Sequence, residues 1–152
     1  MDIVIKQASI DDIDTLMKWR MEVLHHVFEI PGGENMENLY RTNLEYYQQS
    51  IPNRNHVAIF AEVHHTIAGC GGICLYQEMP SPDNPTGQCA YLMNIYTRKE
   101  YRNQGVGKSI ILWLVDYAHQ KGITKIYLET SACGRPLYES LGFHDMMDYM
   151  KI

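Results

Sequence analysis

The spacing of apolar residues alternates between a helical period near 3.6 and a strand period of two, and each change marks the end of an element. Ile3-Val4-Ile5-Lys6-Gln7 reads as a short strand. Ser9, with Asp12 three residues on, has the form of a capping box and opens a helix. Ile10, Ile13, Leu16, Met17, Met21, Leu24 and Phe28 then recur at helical spacing. Pro31-Gly32-Gly33 breaks the chain, and a second helix over 35–49 places Met36, Leu39, Tyr40 and Tyr47 on its inner face.

Val57, Ile59, Ala61 and Val63 alternate as a strand does, and His64-His65 is the shortest turn into the next one. That strand, Ile67 to Tyr76, carries Gly69, Gly71 and Gly72, which implies that another element packs closely on its backbone. Pro80, Pro82 and Pro85 make 77–87 a loop, and 88–97 forms a further strand. Val106, Ile110, Trp113, Leu114 and Tyr117 mark a long helix that ends at Gly122. Ile126 to Thr130 is a buried strand, Pro136 starts a short helix that Gly142 stops, and 143–151 supplies a last strand. The order β-α-α-β-β-β-α-β-α-β has no repeat or linker and predicts one α/β (α+β) domain over 1–152.

Composition narrows the class. A chain of 152 residues, 45% hydrophobic, suits one core and would be cramped with two. No apolar run reaches the roughly 18–20 residues of a bilayer span. The start, MDIVIKQASI, lacks the form of a signal peptide, so a cytoplasmic protein without a membrane partner is expected. Cys70, Cys74, Cys89 and Cys133 show no CxxC pair, and adding His64 and His65 supplies no second ligand pair, so no metal site is expected. The net charge of -5 argues against a nucleic-acid partner. Its distribution is uneven. Residues 1–45 hold nine acids against four bases, whereas 98–108 set Arg98, Lys99, Arg102 and Lys108 against Glu100 alone. A compact basic segment in an acidic protein points to a local anion site.

Chemistry concentrates in Tyr101-Arg102-Asn103-Gln104-Gly105-Val106-Gly107-Lys108-Ser109, between a strand and a long amphipathic helix. A helix start presents unpaired N–H groups and the positive end of its dipole, which favour a phosphate. Glycines let the phosphate approach without a Cβ in the way. The tail Gly107-Lys108-Ser109 looks like the end of a nucleotide-binding GxxxxGK[ST] loop, but Arg102 stands where that motif needs its first glycine. The reading Arg-x-x-Gly-x-Gly after a strand fits better. In that context, with Pro136-Leu137-Tyr138-Glu139-Ser140-Leu141-Gly142-Phe143 following, the chain resembles the GNAT superfamily of N-acetyltransferases over nearly its whole length.

That resemblance implies a mixed, mostly antiparallel sheet of six to seven strands flanked by four helices. It also implies acetyl-CoA as acyl donor. Arg102, Asn103, Gln104, Gly105, Val106, Gly107, Lys108 and Ser109 would wrap its pyrophosphate. Ile95, Tyr96 and Thr97 would pair with the pantetheine arm, and one of their amides would face the thioester carbonyl. Ser131 stands where many relatives have a cofactor-contacting Asn, seven residues before Tyr138. Tyr138 aligns with a tyrosine near the coenzyme sulfur, where a phenol can protonate the departing thiolate.

The resemblance implies direct transfer to an amine in a ternary complex. Where many relatives carry a Glu early in the fourth strand, this chain has Gln88-Cys89-Ala90-Tyr91, so Glu78 and Glu129 stand as candidate bases. Asn94 can orient an amine or a water. Acceptors would be small molecules or peptides bearing a primary amine, bound near the first two helices. There the acid excess would favour a cationic molecule, but solvated helix faces account for the same acids more simply; Glu22, His25 and His26 fall in the helical segment that would border the site. Cys89 is the cysteine expected nearest the site, in a strand read as buried, so no acetyl-enzyme is expected. A homodimer is allowed. An acyl-CoA-binding sensor without efficient catalysis is the alternative.

Overall fold

The structure, a computed structural model, describes residues 2–30 and 35–152. The expected break at Pro31-Gly32-Gly33 lies outside the described residues. Strand β1 (Ile3–Gln7) leads through the 3-10 turn Ile10–Asp12 into helix α1 (Ile13–Val27), and α2 (Glu37–Ser50) follows. Strands β2 (His56–Val63), β3 (Thr66–Gln77) and β4 (Gln88–Thr97) run consecutively, then α3 (Val106–Gln120), β5 (Lys125–Leu128) and α4 (Arg135–Ser140). The capping box forms as read: Ser9 N–H donates to Asp12 Oδ2 at 2.8 Å, and Asp11 N–H to Ser9 Oγ at 3.2 Å. His64 and His65 have φ of 50° and 64°, the left-handed pair that a two-residue hairpin turn requires.

The sheet order is β1-β2-β3-β4-β5, antiparallel except for the final parallel pair. Parallel strands need a crossover, and α3 supplies it across one face. On that face Val57, Ile59, Ala61 and Val63 of β2 pack with Ile110, Ile111 and Leu114 of α3. The alternate residues Ala58 and Phe60 face the other way, against Leu16, Met17, Trp19 and Val23 of α1 and Tyr47 of α2. The period of two in β2 thus feeds two cores. The glycines of β3 meet their expected neighbours: a Cβ on Gly71 would collide with Ile110, and one on Gly72 would lie 2.7 Å from His56 Nε2.

One irregularity shapes the molecule. Gly72 pairs with Met93 and Cys70 with Tyr96, so the single residue Gly71 opposes both Asn94 and Ile95. This is a β-bulge in β4, and Asn94 takes the left-handed φ of 59° that accommodates the extra residue. The bulge bends β4, whose pairing with β5 stops at Leu92–Leu128. Past that point the two strands diverge, and the β5-facing edge of 93–97 has no strand partner among the described residues.

The sheet has five strands, not six or seven. Residues 143–151 run without strand pairing, because Phe143-His144-Asp145-Met146-Met147-Asp148 shows no alternation, Asp148 has φ of 73°, and Asp145 is drawn to Arg135 at 2.6 Å. The four helices stand where expected. Among the described residues, no helix is long and apolar enough to cross a membrane.

Candidate active site

Gly105 caps α3 with φ of 87°, a left-handed conformation that a side chain would strain. The helix's first bond runs from Ser109 N–H to Gly105 O at 3.0 Å, so the N–H groups of Val106, Gly107 and Lys108 emerge from the helix end without an intrahelical acceptor. Gly107 faces the end of β4 and α4: a Cβ there would lie 3.4 Å from Leu137 and 3.7 Å from Thr97 Oγ1. Arg102 donates from Nε to Thr97 O at 3.0 Å, tying the loop to the end of β4, and Gln104 donates to Glu100 O at 3.0 Å. Asn103 is left-handed at φ of 60°, which turns the exposed loop into the helix. These features make an anion cradle, and they fit the pyrophosphate of a coenzyme A.

From the cradle the site continues into the gap between β4 and β5. A cavity of about 340 Å³ is lined there by Arg20, Tyr91, Asn94, Ile95, Glu129, Ser131 and Tyr138, with Val23, Val27 and Phe28 forming an apolar wall. The structure therefore brings Asn94, Ile95, Glu129, Ser131 and Tyr138 together. Tyr96 is buried against Trp19, and Thr97 lies beside Gly107. Burial pushes the Tyr138 phenol above its ordinary value, so it stays protonated at neutral pH. Tyr91 is also pushed up, first by burial and then by the Glu129 carboxylate beside it.

Arg20 was not singled out by the sequence pattern, although its position betrays it. It falls on the stripe Ile13, Leu16, Met17, Leu24 that faces the core, where a charge is unexpected. Its Nε donates to Asn43 Oδ1 at 2.8 Å and its Nη1 to Asn94 Oδ1 at 2.9 Å. Asn94 Oδ1 is thus engaged with Arg20, while Asn94 itself lines the cavity.

Other expectations separate from the site. Glu78 takes Lys125 at 2.9 and 3.0 Å and Asn84 at 3.2 Å. Its partner Lys125 pairs across from Cys89, three residues or about 10 Å along the strand from where β4 and β5 part. The Lys125 ammonium holds the Glu78 carboxyl below its usual range, so Glu78 is a poor base as well as a distant one. Arg98 leaves the basic segment: it grips Glu22 at 3.0 and 2.8 Å and lies 4.2 Å from the centre of the Trp19 ring. That pair pins α1 to β4 and removes Glu22 from the cavity. His26 stacks on Tyr96, and the α1 residues lining the cavity are Arg20, Val23 and Val27. None of the acids of α1 or α2 lines it. Cys89 sits at the closed end of the strand pair; exposed Cys133, in the segment between Ser131 and Tyr138, is the thiol nearer the gap.

Comparisons with known proteins bear on the family and the fold. Residues 16–143 match the acetyltransferase (GNAT) family. A ribosomal protein bS18-alanine N-acetyltransferase of Escherichia coli is 36% identical over 59 residues, 37% of this chain and 40% of that protein. A thialysine N-epsilon-acetyltransferase of Sus scrofa is 30% identical over 97 residues, 49% of this chain and 57% of that one. The matched stretches thus span less than two thirds of these relatives. Among solved structures, a predicted acetyltransferase from Clostridium acetobutylicum, crystallised with acetyl-CoA, superposes with a TM-score of 0.87 at 26% identity, over 99% of this chain and 96% of that one.

Proposed function

Since the chain belongs to the acetyltransferase (GNAT) family, we propose that it is an N-acetyltransferase that moves the acetyl group of acetyl-CoA directly to a primary amine of a small molecule or peptide. The observation that carries this reading is the continuity of the site. Gly107, among the helix N–H groups at 106–108, faces Thr97 and Leu137, and their near neighbours Ile95 and Tyr138 line the cavity with Glu129, beside a β4 edge that has no strand partner among the described residues.

Acetyl-CoA supplies an activated thioester. The cradle 102–109 would hold its pyrophosphate through backbone amides, with Arg102 and Lys108 adding charge. The open edge at 95–97 offers strand-like hydrogen bonds to an extended arm and an N–H for a developing oxyanion. Tyr138, kept protonated by burial, would hold a proton for the leaving thiolate. An alkyl amine is mostly protonated at neutral pH, with a pKa near 10.4 for a lysine-like group. Glu129, at the cavity wall, is the carboxylate we assign to take that proton, directly or through water. Ser131 is short for an Asn-like contact but lines the same gap.

Direct transfer is favoured over an acetyl-enzyme because the buried thiols are poor nucleophiles. Burial pushes Cys70 up to about 12 and raises Cys89, leaving little thiolate. Four free cysteines also suit a reducing compartment, and we place the protein in the cytoplasm. The relatives act on a protein's alanine and on thialysine, so both peptide and small-molecule amines belong in the test. The protein with acetyl-CoA should release free thiol in step with N-acetylation of at least one amine in a panel of polyamines, aminoglycosides, amino acids and peptide N-termini. Cys133→Ser should leave that turnover within a few-fold. Acetyl-CoA binding without transfer to any amine would favour the sensor reading instead.

A further inference from the structure

Resting on that proposed activity, we propose that Arg20 binds an anionic oxygen group of the acceptor, so that the acceptor is an amine that also carries a carboxylate or a phosphate. The protein pairs its other half-buried cations with acids: Arg98 with Glu22 at 2.8 Å and Lys125 with Glu78 at 2.9 Å. Arg20 is treated differently. Its two hydrogen bonds go to neutral amide oxygens, Asn43 Oδ1 and Asn94 Oδ1, and among the described residues no carboxylate lies within ion-pair distance. A guanidinium carries five N–H donors, so Nη2 and one N–H of Nη1 remain for a ligand. Those donors form the planar fork that matches a carboxylate or phosphate.

The arrangement is built rather than incidental. Asn43 comes from α2, Arg20 from α1 and Asn94 from the bulge of β4, where it adopts a left-handed φ of 59°. Three elements and a strained residue thus fix one guanidinium at the wall of the acceptor cavity. Burial lowers its pKa, and the groups that oppose this are Tyr47, Cys70 and Tyr46, which are neutral at pH 7. A half-buried cation with no counter-ion among the described residues is costly, and a bound anion relieves that cost. The charged side chains lining the cavity are Arg20 and Glu129, of opposite sign, beside the apolar Val23, Val27 and Phe28. Such a lining complements a small molecule with an amine for one charge and an anion for the other. A volume of about 340 Å³ suits a small molecule.

The test uses matched acceptors with the full chain and saturating acetyl-CoA. Amino acids are compared with their carboxamides, and phosphoethanolamine and glucosamine 6-phosphate with ethanolamine and glucosamine, all per unprotonated amine. The expected result is a kcat/KM at least tenfold higher for the anionic members, with the carboxylate and phosphate pairs showing which anion is preferred. Arg20→Gln should collapse that ratio, mainly through KM, with acetyl-CoA affinity held as the check on folding. Arg20→Lys should restore part of it. Transfer to amines with no preference for an anion in the wild-type chain overturns this inference and leaves the acetyltransferase reading intact. Transfer to no amine at all overturns the reading beneath it, and the inference with it.

Discussion

His56 offers a stability measurement whose size follows from its surroundings. It lies on β2 at 3% exposure, under Tyr46 and Tyr47 of α2. Its Nδ1 shares a hydrogen bond of 2.8 Å with the Tyr46 hydroxyl, while Nε2 has no partner among the described residues and faces Gly72. Burial, aided by the Arg20 charge, pushes its pKa down to about 4. In the unfolded chain it titrates near 6.5. The folded state therefore binds fewer protons, and stability falls as pH drops from about 6.5 toward 4. At pH 5 the two pKa values correspond to a loss of about 2 kcal/mol relative to neutral pH, with a limit near 3 kcal/mol in stronger acid. Urea unfolding at pH 7 and pH 5, for the wild type and for His56→Gln, isolates this residue, since Gln still offers Tyr46 a polar partner but does not titrate. The wild type should lose about 2 kcal/mol more than the variant between the two pH values. Equal losses would refute the assignment of a neutral, desolvated imidazole at this position.

Two further substitutions probe the sheet and the chemistry. Gly71→Ala places a methyl group against Ile110 and, at 3.2 Å, Leu114, and should cost about 1–3 kcal/mol in chemical denaturation; a change under about 0.5 kcal/mol would mean the strand–helix contact is looser than described. Tyr138→Phe keeps the aromatic packing on Phe143 and should leave acetyl-CoA affinity intact while lowering kcat by about 10- to 1,000-fold. An unchanged kcat, in a regime where chemistry limits turnover, would reduce Tyr138 to a packing role.

Much of the fold could be read from spacing alone, because each legible feature is local. The alternation in β2 shows which residues face each core, and the glycines of β3 announce the close approach of α3. The cradle is legible for the same reason: its glycines and basic residues are contiguous in sequence. What escaped reading depends on partners distant in the chain. Arg98 looks like part of a basic patch until α1 brings Glu22 to it, 76 residues away. Glu78 looks free until β5 presents Lys125, 47 residues on. The bulge at Asn94 has no turn-forming sequence around it, so the capture of Arg20 could not be anticipated. Residues 143–151 looked like a strand by apolar content, but their polar residues do not alternate, and content without period is a weak strand signal.

The account turns on acetyl-CoA occupying the cradle at the start of α3, and calorimetric titration of the cofactor into the wild type and Gly107→Asp tests it most directly. Gly107 sits where unpaired N–H groups emerge, beside Thr97 and Leu137, so a carboxylate there would repel the pyrophosphate. The account predicts saturable binding of acetyl-CoA by the wild type and loss of measurable binding by a Gly107→Asp protein whose thermal unfolding remains cooperative. Equal affinity in the two proteins would contradict it.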